Sequence, residues 1–256
     1  MTDPRVDPAA GRFGAVAADY DRGRPSYPAA VVGRLVEVAG LGPGLEVLDL
    51  AAGTGKLTRQ LVAAGASVVA VEPSAGMRER LAASLPGVRA LDGTGEAIPL
   101  PDHAVDLVTV AQAFHWFRTG EALDEIHRVL RPGGWLALTW NEAPTTAWAR
   151  ELWDLRHRLT GYTGTYPGDG WDVVVDADPR FGPRTTTTVE VAVVATPEEV
   201  MSDSASRSYV MSLDPAARER VLDAVAALLA DHPEVAGRAE LTYERPCSVH
   251  LCQRLA

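Results

Sequence analysis

Residues Val47–Thr58 read Val-Leu-Asp-Leu-Ala-Ala-Gly-Thr-Gly-Lys-Leu-Thr. Leu45–Ala51 is a short apolar run after a Gly-Pro-Gly turn signal, the pattern of a buried parallel strand. Lys56–Ala64 then carries Leu57, Leu61 and Val62 at helical spacing and stops at Gly65. Glycines between strand and helix let the backbone turn tightly and approach a ligand closely, while the helix N-terminus offers free N–H groups. Glu72 ends the next strand, where a carboxylate can accept both hydroxyls of a ribose. Strand, glycine turn, helix, strand and acid form a nucleoside-binding arrangement. A P-loop would need Ser or Thr directly after Lys56, but Leu57 stands there. A dinucleotide fingerprint would need a third glycine, and position 58 is Thr.

Outward from this unit, strands and helices alternate. Ser67–Val71 is a strand, and Ser74 caps a helix running to about Leu85. Val88–Leu91 and Val105–Ala111 are further strands. Thr119 opens a helix with Leu123, Ile126 and Leu130 on one face; Arg131-Pro132-Gly133-Gly134 ends it, and Trp135–Trp140 is the fifth strand. Such alternation implies a parallel sheet covered on both faces. From Ala143 the pattern changes. Trp148, Leu152, Leu155 and Leu159 trace a helical stripe, and Gly161–Pro183 reads as loop. Val189–Ala195 and Leu241–Leu251 read as two late strands, forming an antiparallel hairpin. The connection between them holds short helical pieces and one clear helix, opened by Asp214-Pro215, with Val221, Val225, Leu228 and Leu229 on its inner face. The fold class is therefore α/β: a Rossmann-like seven-stranded sheet, mostly parallel with a terminal antiparallel hairpin, plus an N-terminal lid and a C-terminal helical cover. Residues 1–40 are assigned to the lid, 41–142 to the nucleoside-binding core, and 143–256 to an aromatic and helical cap with the final strands.

The 256 residues are 46% hydrophobic and 23% charged, enough for one substantial core. A net charge of −10 argues against the broad basic face that nucleic acids attract. No apolar segment follows the first charges, so no secretory signal is read, and Leu61–Val71 is about half the ~20 residues of a membrane span. The expectation is a cytoplasmic, soluble protein with a small-molecule substrate and neither nucleic acid nor membrane as partner; the oligomeric state is not fixed. Cys247 and Cys252, five apart on one strand, fall on opposite faces and cannot pair with each other. Their spacing does not suit a zinc site, and no metal is expected.

The block VLDLAAGTGKLT resembles the first motif of class I S-adenosylmethionine-dependent methyltransferases. VVAVEPSAGM (residues 68–77) is similar to their second-strand motif, and RVLRPGGWLAL (128–138) to their helix-to-fifth-strand motif. GRFGAVAADYDRGRPSYP (11–28) together with AQAFHWF (111–117) resembles the bacterial small-molecule branch that includes trans-aconitate-type methyltransferases. The likeness is strongest over 45–140. It implies S-adenosyl-L-methionine as cofactor and S-adenosyl-L-homocysteine as product. By the same likeness Ala51, Gly53, Thr54, Gly55 and Ala111 line the cofactor, Glu72 holds the ribose, and Pro73, Ser74 and Met77 lie against the adenine. Thr94, Gly95 and Glu96 correspond to the segment that reads the adenine edge, with Thr94 in place of the common Asp. Ala51 stands where many members have Gly. Tyr20, Arg24 and Tyr27 form a lid, Tyr20 and Arg24 on the cofactor side and Tyr27 toward the substrate.

On the acceptor side, Gln112, His115 and Trp116 follow the fourth strand at the carboxyl end of the sheet, where ligands collect. His115 is a candidate proton acceptor with a structural role as the competing reading, while Gln112 and Trp116 are candidate donors to an acceptor oxygen. Tyr166 and Trp171 are candidates for the wall of an apolar acceptor pocket; Trp148 and Trp153, at helical spacing, read as core. The Pro-Pro motif of nucleic-acid amino-methyltransferases is absent, and no Asp/Asn cluster suggests the magnesium site of catechol-type enzymes. A small-molecule acceptor methylated on oxygen, nitrogen or carbon is the reading, with a carboxylate or hydroxyl among the options. The alternatives are cyclase- or hydroxylase-type chemistry in the same pocket, or a silent module that senses the cofactor.

Overall fold

A computed structural model describes residues 26–162 and 170–256. Seven strands, β1 (Glu46–Leu50), β2 (Ser67–Val71), β3 (Arg89–Leu91), β4 (Val105–Ala111), β5 (Leu130–Asn141), β6 (Thr185–Ala195) and β7 (Leu241–Gln253), form one sheet in the order β3-β2-β1-β4-β5-β7-β6. β1 to β5 are mutually parallel, and β7 runs antiparallel to both β5 and β6. The predicted mixed sheet with a terminal hairpin is the observed one. After β1 the chain builds outward through β2 and β3, then returns to the other side of β1 with β4. That reversal leaves a crevice at the carboxyl ends of β1 and β4.

Strand alternation divides the apolar residues between two faces. Leu48, Leu50, Val108, Val110, Leu136 and Leu138 belong to one core, joined by Ile126 from α4 (Thr119–Val129). Val47, Leu107 and Ala137 belong to the other, covered by Val31 and Leu35 of α1 (Ala29–Ala39) and by Leu57 and Leu61 of α2 (Lys56–Ala63). Each fully buried Leu or Val contributes about 1.5–3 kcal/mol by its transfer from water. β7 continues the division, with Cys247 in one core and Cys252 in the other. Burial pushes both thiols up to about 12, so they stay protonated and unreactive at neutral pH. A third core lies beyond the sheet end. There Trp148 and Leu152 of α5 (Ala147–Thr160) pack on Val200 of α7 (Pro197–Ala205) and on Val225 and Leu229 of α9 (Pro215–Asp231). Among the described residues, no helix is long and apolar enough to cross a membrane.

Several boundaries differ from the sequence reading. β5 starts at Leu130, because Leu130 pairs with Val105 before the register jumps to Leu107 opposite Trp135. Arg131–Gly134 bulges outward between them, and a Cβ on Gly134 would lie 2.8 Å from the Asp106 carbonyl oxygen. β6 begins at Thr185, four β-branched threonines earlier than predicted. The stretch expected as loop contains α6 (Trp171–Ala177), where Gly170 turns at φ 77 and Val175 anchors the short helix in the core. On α5 the apolar stripe also breaks down. Leu159 is exposed, and Arg156 is the buried residue of that turn. Between α7 and α9 lies one more short helix, α8 (Ser208–Met211). The two short helices fill the predicted helical cover.

Candidate functional site

Three of the five residues from Ala51 to Gly55 adopt left-handed backbone, with φ 56 at Ala51, 59 at Gly53 and 83 at Gly55. Ala51 carries a methyl in a conformation that glycine adopts without steric cost, which accounts for glycine being the commoner residue there. A Cβ on Gly55 would meet Leu81 of α3 (Ala75–Ser84) at 3.0 Å, so this glycine lets α2 start tight against its neighbour. Glu72 fastens the loop from the side. Its Oε2 accepts the Gly53 amide and its Oε1 the Ser74 amide, each at 2.9 Å. The carboxylate is buried, and that burial raises its pKa against the lowering effect of the two amides. Each oxygen keeps a lone pair, so the group can accept further donors and gains from them.

Beneath the loop, Asp49 is fully buried and accepts from Thr58 Oγ1 at 2.6 Å and Thr109 Oγ1 at 3.0 Å. Burial pushes this carboxyl up to about 6. A solvent-open cleft of about 450 Å³ rises from here, lined by Asp49, Ala51, Thr54 and Lys56 on the β1 side and by Ala111, Gln112 and Asn141 on the β4–β5 side. Tyr27 closes one flank; it is buried against α1 and α2, and its carbonyl accepts from Gln60 Nε2 at 2.7 Å. Met77 is buried, with its sulfur 3.8 Å from a Cβ placed on Gly53. The Pro73 carbonyl accepts from Arg78, which also bonds the Glu72 carbonyl and Asp92.

The segment after β3 is tied into the fold. Thr94 and Ala97 form an isolated bridge, and Glu96 accepts the Arg118 amide at 2.8 Å, at the start of α4. Gly95 lies against Phe117, whose ring would be 2.7 Å from an added Cβ. The Thr94 hydroxyl is buried without a hydrogen-bond partner. It is an orphaned group in the segment expected to read adenine, and a ligand donor or acceptor would satisfy it.

Gln112, His115 and Trp116 sit together after β4 but differ in surroundings. Gln112 is held at φ 59, and its Nε2 donates to the Asn141 carbonyl at 3.4 Å. His115 and Trp116 lie in the short 3₁₀ turn Phe114–Trp116. The indole of Trp140 donates to His115 Nδ1 at 3.3 Å, and its ring stacks on Trp171 with centroids 4.5 Å apart. Trp171, expected in a loop, is the first residue of α6 and belongs to this aromatic cluster with His250. Of these residues Gln112 lines the glycine-loop cleft, whereas Trp116 and Trp171 pack against the core that holds Phe114, and none of His115, Trp116 and Trp171 is among the residues lining the cleft. Tyr20, Arg24 and Tyr166 lie outside the described residues. Trp148 is core and donates to the Thr242 carbonyl. Sequence reasoning gave no role to Asp49, Asn141 or Trp140; the Asp at the strand end before the glycine turn was the signal available for the first.

A Rossmann-like sheet with a glycine turn at the β1–β4 switch point and an acid directly after β2 defines the class of the protein as α/β. The family described as Methyltransferase domain matches residues 48–138, from β1 to β5. An uncharacterized methyltransferase of Mycobacterium tuberculosis is 43% identical over 228 residues, 88% of each chain. The chain belongs to the methyltransferase family. Malonyl-[acyl-carrier protein] O-methyltransferase of Methylococcus capsulatus is 37% identical over 158 residues, 59% of this chain and 56% of that one. The fold is also that of phosphoethanolamine N-methyltransferase 2 of Haemonchus contortus, solved in complex with S-adenosyl-L-methionine. That likeness has a TM-score of 0.57 at 13% identity, over 97% of this chain and 57% of that one.

Proposed function

We propose that this chain transfers the methyl group of S-adenosylmethionine to a small-molecule acceptor, on oxygen, nitrogen or carbon, in the cytoplasm. One observation carries the reading: the buried Glu72 carboxylate, hydrogen-bonded to the Gly53 and Ser74 amides, holds an acid with spare acceptor capacity against the glycine loop. The family membership and the complex of the Haemonchus protein support it. The likeness of residues 11–28 and 111–117 to the trans-aconitate-type branch supports a small acceptor, and the name of the Methylococcus relative, an O-methyltransferase of malonyl-[acyl-carrier protein], supports oxygen among the methylated atoms.

The residues fit the cofactor. Glu72 would hold the ribose hydroxyls, Ala51, Gly53, Thr54 and Gly55 the methionine portion, and Pro73, Ser74 and Met77 the adenine, with Thr94 at its edge. When bound, S-adenosylmethionine supplies a methyl group on a sulfonium, open to in-line attack. The chain then has to hold the acceptor in line and unprotonated and keep water out. Gln112, which lines the cleft, would orient it, with His115 and Trp116 following in the turn after β4.

Incubation with methyl-labelled S-adenosylmethionine and a metabolite extract, followed by mass spectrometry, tests the reading. A labelled small molecule formed one-for-one with S-adenosylhomocysteine is expected. An acceptor converted without S-adenosylhomocysteine release would overturn it.

A further inference from the structure

Arg254 directly follows β7, at the amino ends of β4 and β5 and so at the opposite end of the sheet from the glycine-loop cleft. Segments from across the fold meet on it. Its amide donates to the Gly134 carbonyl at 2.8 Å, its carbonyl accepts the Gly133 amide at 3.0 Å, and it forms an antiparallel bridge with Phe181. Next along, the Leu255 amide donates to the Arg180 carbonyl at 2.8 Å. The Arg254 side chain is buried, and its hydrogen bonds go to uncharged acceptors. Nη1 donates to the Leu130 carbonyl and lies 2.8 Å from His103 Nδ1, while Nε donates to His127 Nε2 of α4 at 3.1 Å.

A guanidinium only donates, so both imidazole nitrogens must accept, and both rings are neutral. His103 has a second arrangement within reach, because its Nδ1 is also 3.1 Å from the Leu130 carbonyl. With a proton on Nδ1 it no longer accepts from Arg254 and competes with it for that carbonyl. At His127, a proton on Nε2 likewise turns an acceptor into a second cation facing Arg254. The carboxylates around the two rings are each bonded to another arginine: Asp178 and Asp124 to Arg180, Asp102 to Arg128, and Asp106 to Arg131, which also donates to the His103 carbonyl. Burial, then Arg254, Arg180 and His103, hold His127 below the usual imidazole range, against a raising effect of Asp178. Its contribution to the folded state is therefore present above about pH 6.5 and is lost as pH falls.

We propose that Arg254, His103 and His127 form a proton-operated clasp, which fastens the C-terminal end of β7 to the start of β5 at neutral pH and releases it when an imidazole is protonated. His103 is exposed, so protons reach it directly from solvent. The clasp is independent of the proposed methyl transfer.

Amide exchange of the full chain from pH 7.5 to 5.5, followed by NMR and corrected for intrinsic rates, tests this. Protection of the Gly133, Arg254 and Leu255 amides should fall by about tenfold, as for opening linked to uptake of one proton, while that of the central strand β4 falls less. His103→Gln combined with His127→Gln keeps neutral acceptors and should flatten this pH dependence. Arg254→Met should raise the pH at which His127 titrates, read from imidazole ¹⁵N shifts. In the wild type at pH 7.5 the same shifts should show His103 Nδ1 and His127 Nε2 unprotonated. A proton on either nitrogen, protection that is constant with pH or falls only in step with β4, or an unmoved His127 in a folded Arg254→Met overturns the proposal. So does a folded double variant that keeps the wild-type pH dependence. Should the variants fail to fold by circular dichroism, the wild-type shifts and exchange decide.

Discussion

Trp140 and His115 form a hydrogen bond in which the indole Nε1–H donates to the imidazole Nδ1 at 3.3 Å. An indole nitrogen is a donor only, so Nδ1 must accept, and the neutral ring carries its proton on Nε2. In that tautomer Nε2 is a donor. A proton-accepting role for His115 requires the other tautomer, whose Nδ1–H would face the indole N–H. The geometry therefore favours the Nε2-protonated tautomer of His115 over the one that a base acting through Nε2 requires.

Imidazole ¹⁵N shifts check this assignment. At neutral pH, His115 is expected to show a protonated Nε2 and an unprotonated Nδ1. Trp140→Phe should mix the tautomers. A wild-type ring protonated on Nδ1 would contradict this tautomer.

His115→Ala is expected to lower the rate of methyl transfer by about 10²-fold or less, short of the upper range for loss of a general acid–base group. Affinity for S-adenosylhomocysteine should change little. Steady-state kinetics with a known acceptor, alongside calorimetry, separates the two. A larger loss in cofactor affinity than in turnover would place His115 on the cofactor side.

Gly95 separates packing from recognition. Its added Cβ would sit 2.7 Å from the Phe117 ring, so Gly95→Ala should destabilise the fold by about 1–3 kcal/mol through overpacking. Phe117→Leu in the same chain should recover part of that loss in thermal melts. Additive effects of the two substitutions would show that the contact is not the cause.

The buried Asp49 and the half-buried His250 give opposite slopes of stability with pH. Asp49 is raised to about 6 by burial, so its contribution is fully present below about pH 3.8 and is lost as pH rises through 6. His250 is lowered to about 4, by burial first and then by Arg184, so its contribution is present above 6.5 and is lost as pH falls through 4. Each spans about 2–3 kcal/mol. Melting curves from pH 4 to 7 should therefore show Asp49→Asn gaining on the wild type as pH rises and His250→Gln gaining as it falls. Parallel curves for either variant would contradict the corresponding burial effect.

The parts that could be read from the sequence are those with short-range causes. The short apolar runs and helical patterns from Leu45 to Trp140, and the glycines between Asp49 and Lys56, involve neighbours along the chain, and β1 to β4 appear nearly where predicted. What escaped reading depends on partners far away. Arg156 occupies an apolar stripe because Asp203 and Ser204, 47 and 48 residues on, receive it. The Trp140–His115 bond joins residues 25 apart, and α6 forms within a Gly- and Pro-rich stretch because Val175 finds a core. Glu96, expected at the adenine edge, bonds the Arg118 amide, a partner that its motif does not announce.

Calorimetric titration of S-adenosylhomocysteine into the wild type and into Glu72→Ala examines the cofactor site itself. One-to-one binding is expected in the wild type, weakened by about 1–3 kcal/mol in the variant, as for loss of a charge-assisted acceptor. No heat from the wild type, or equal affinity in a folded Glu72→Ala, would contradict the placement of the nucleoside at the β1–β4 crevice.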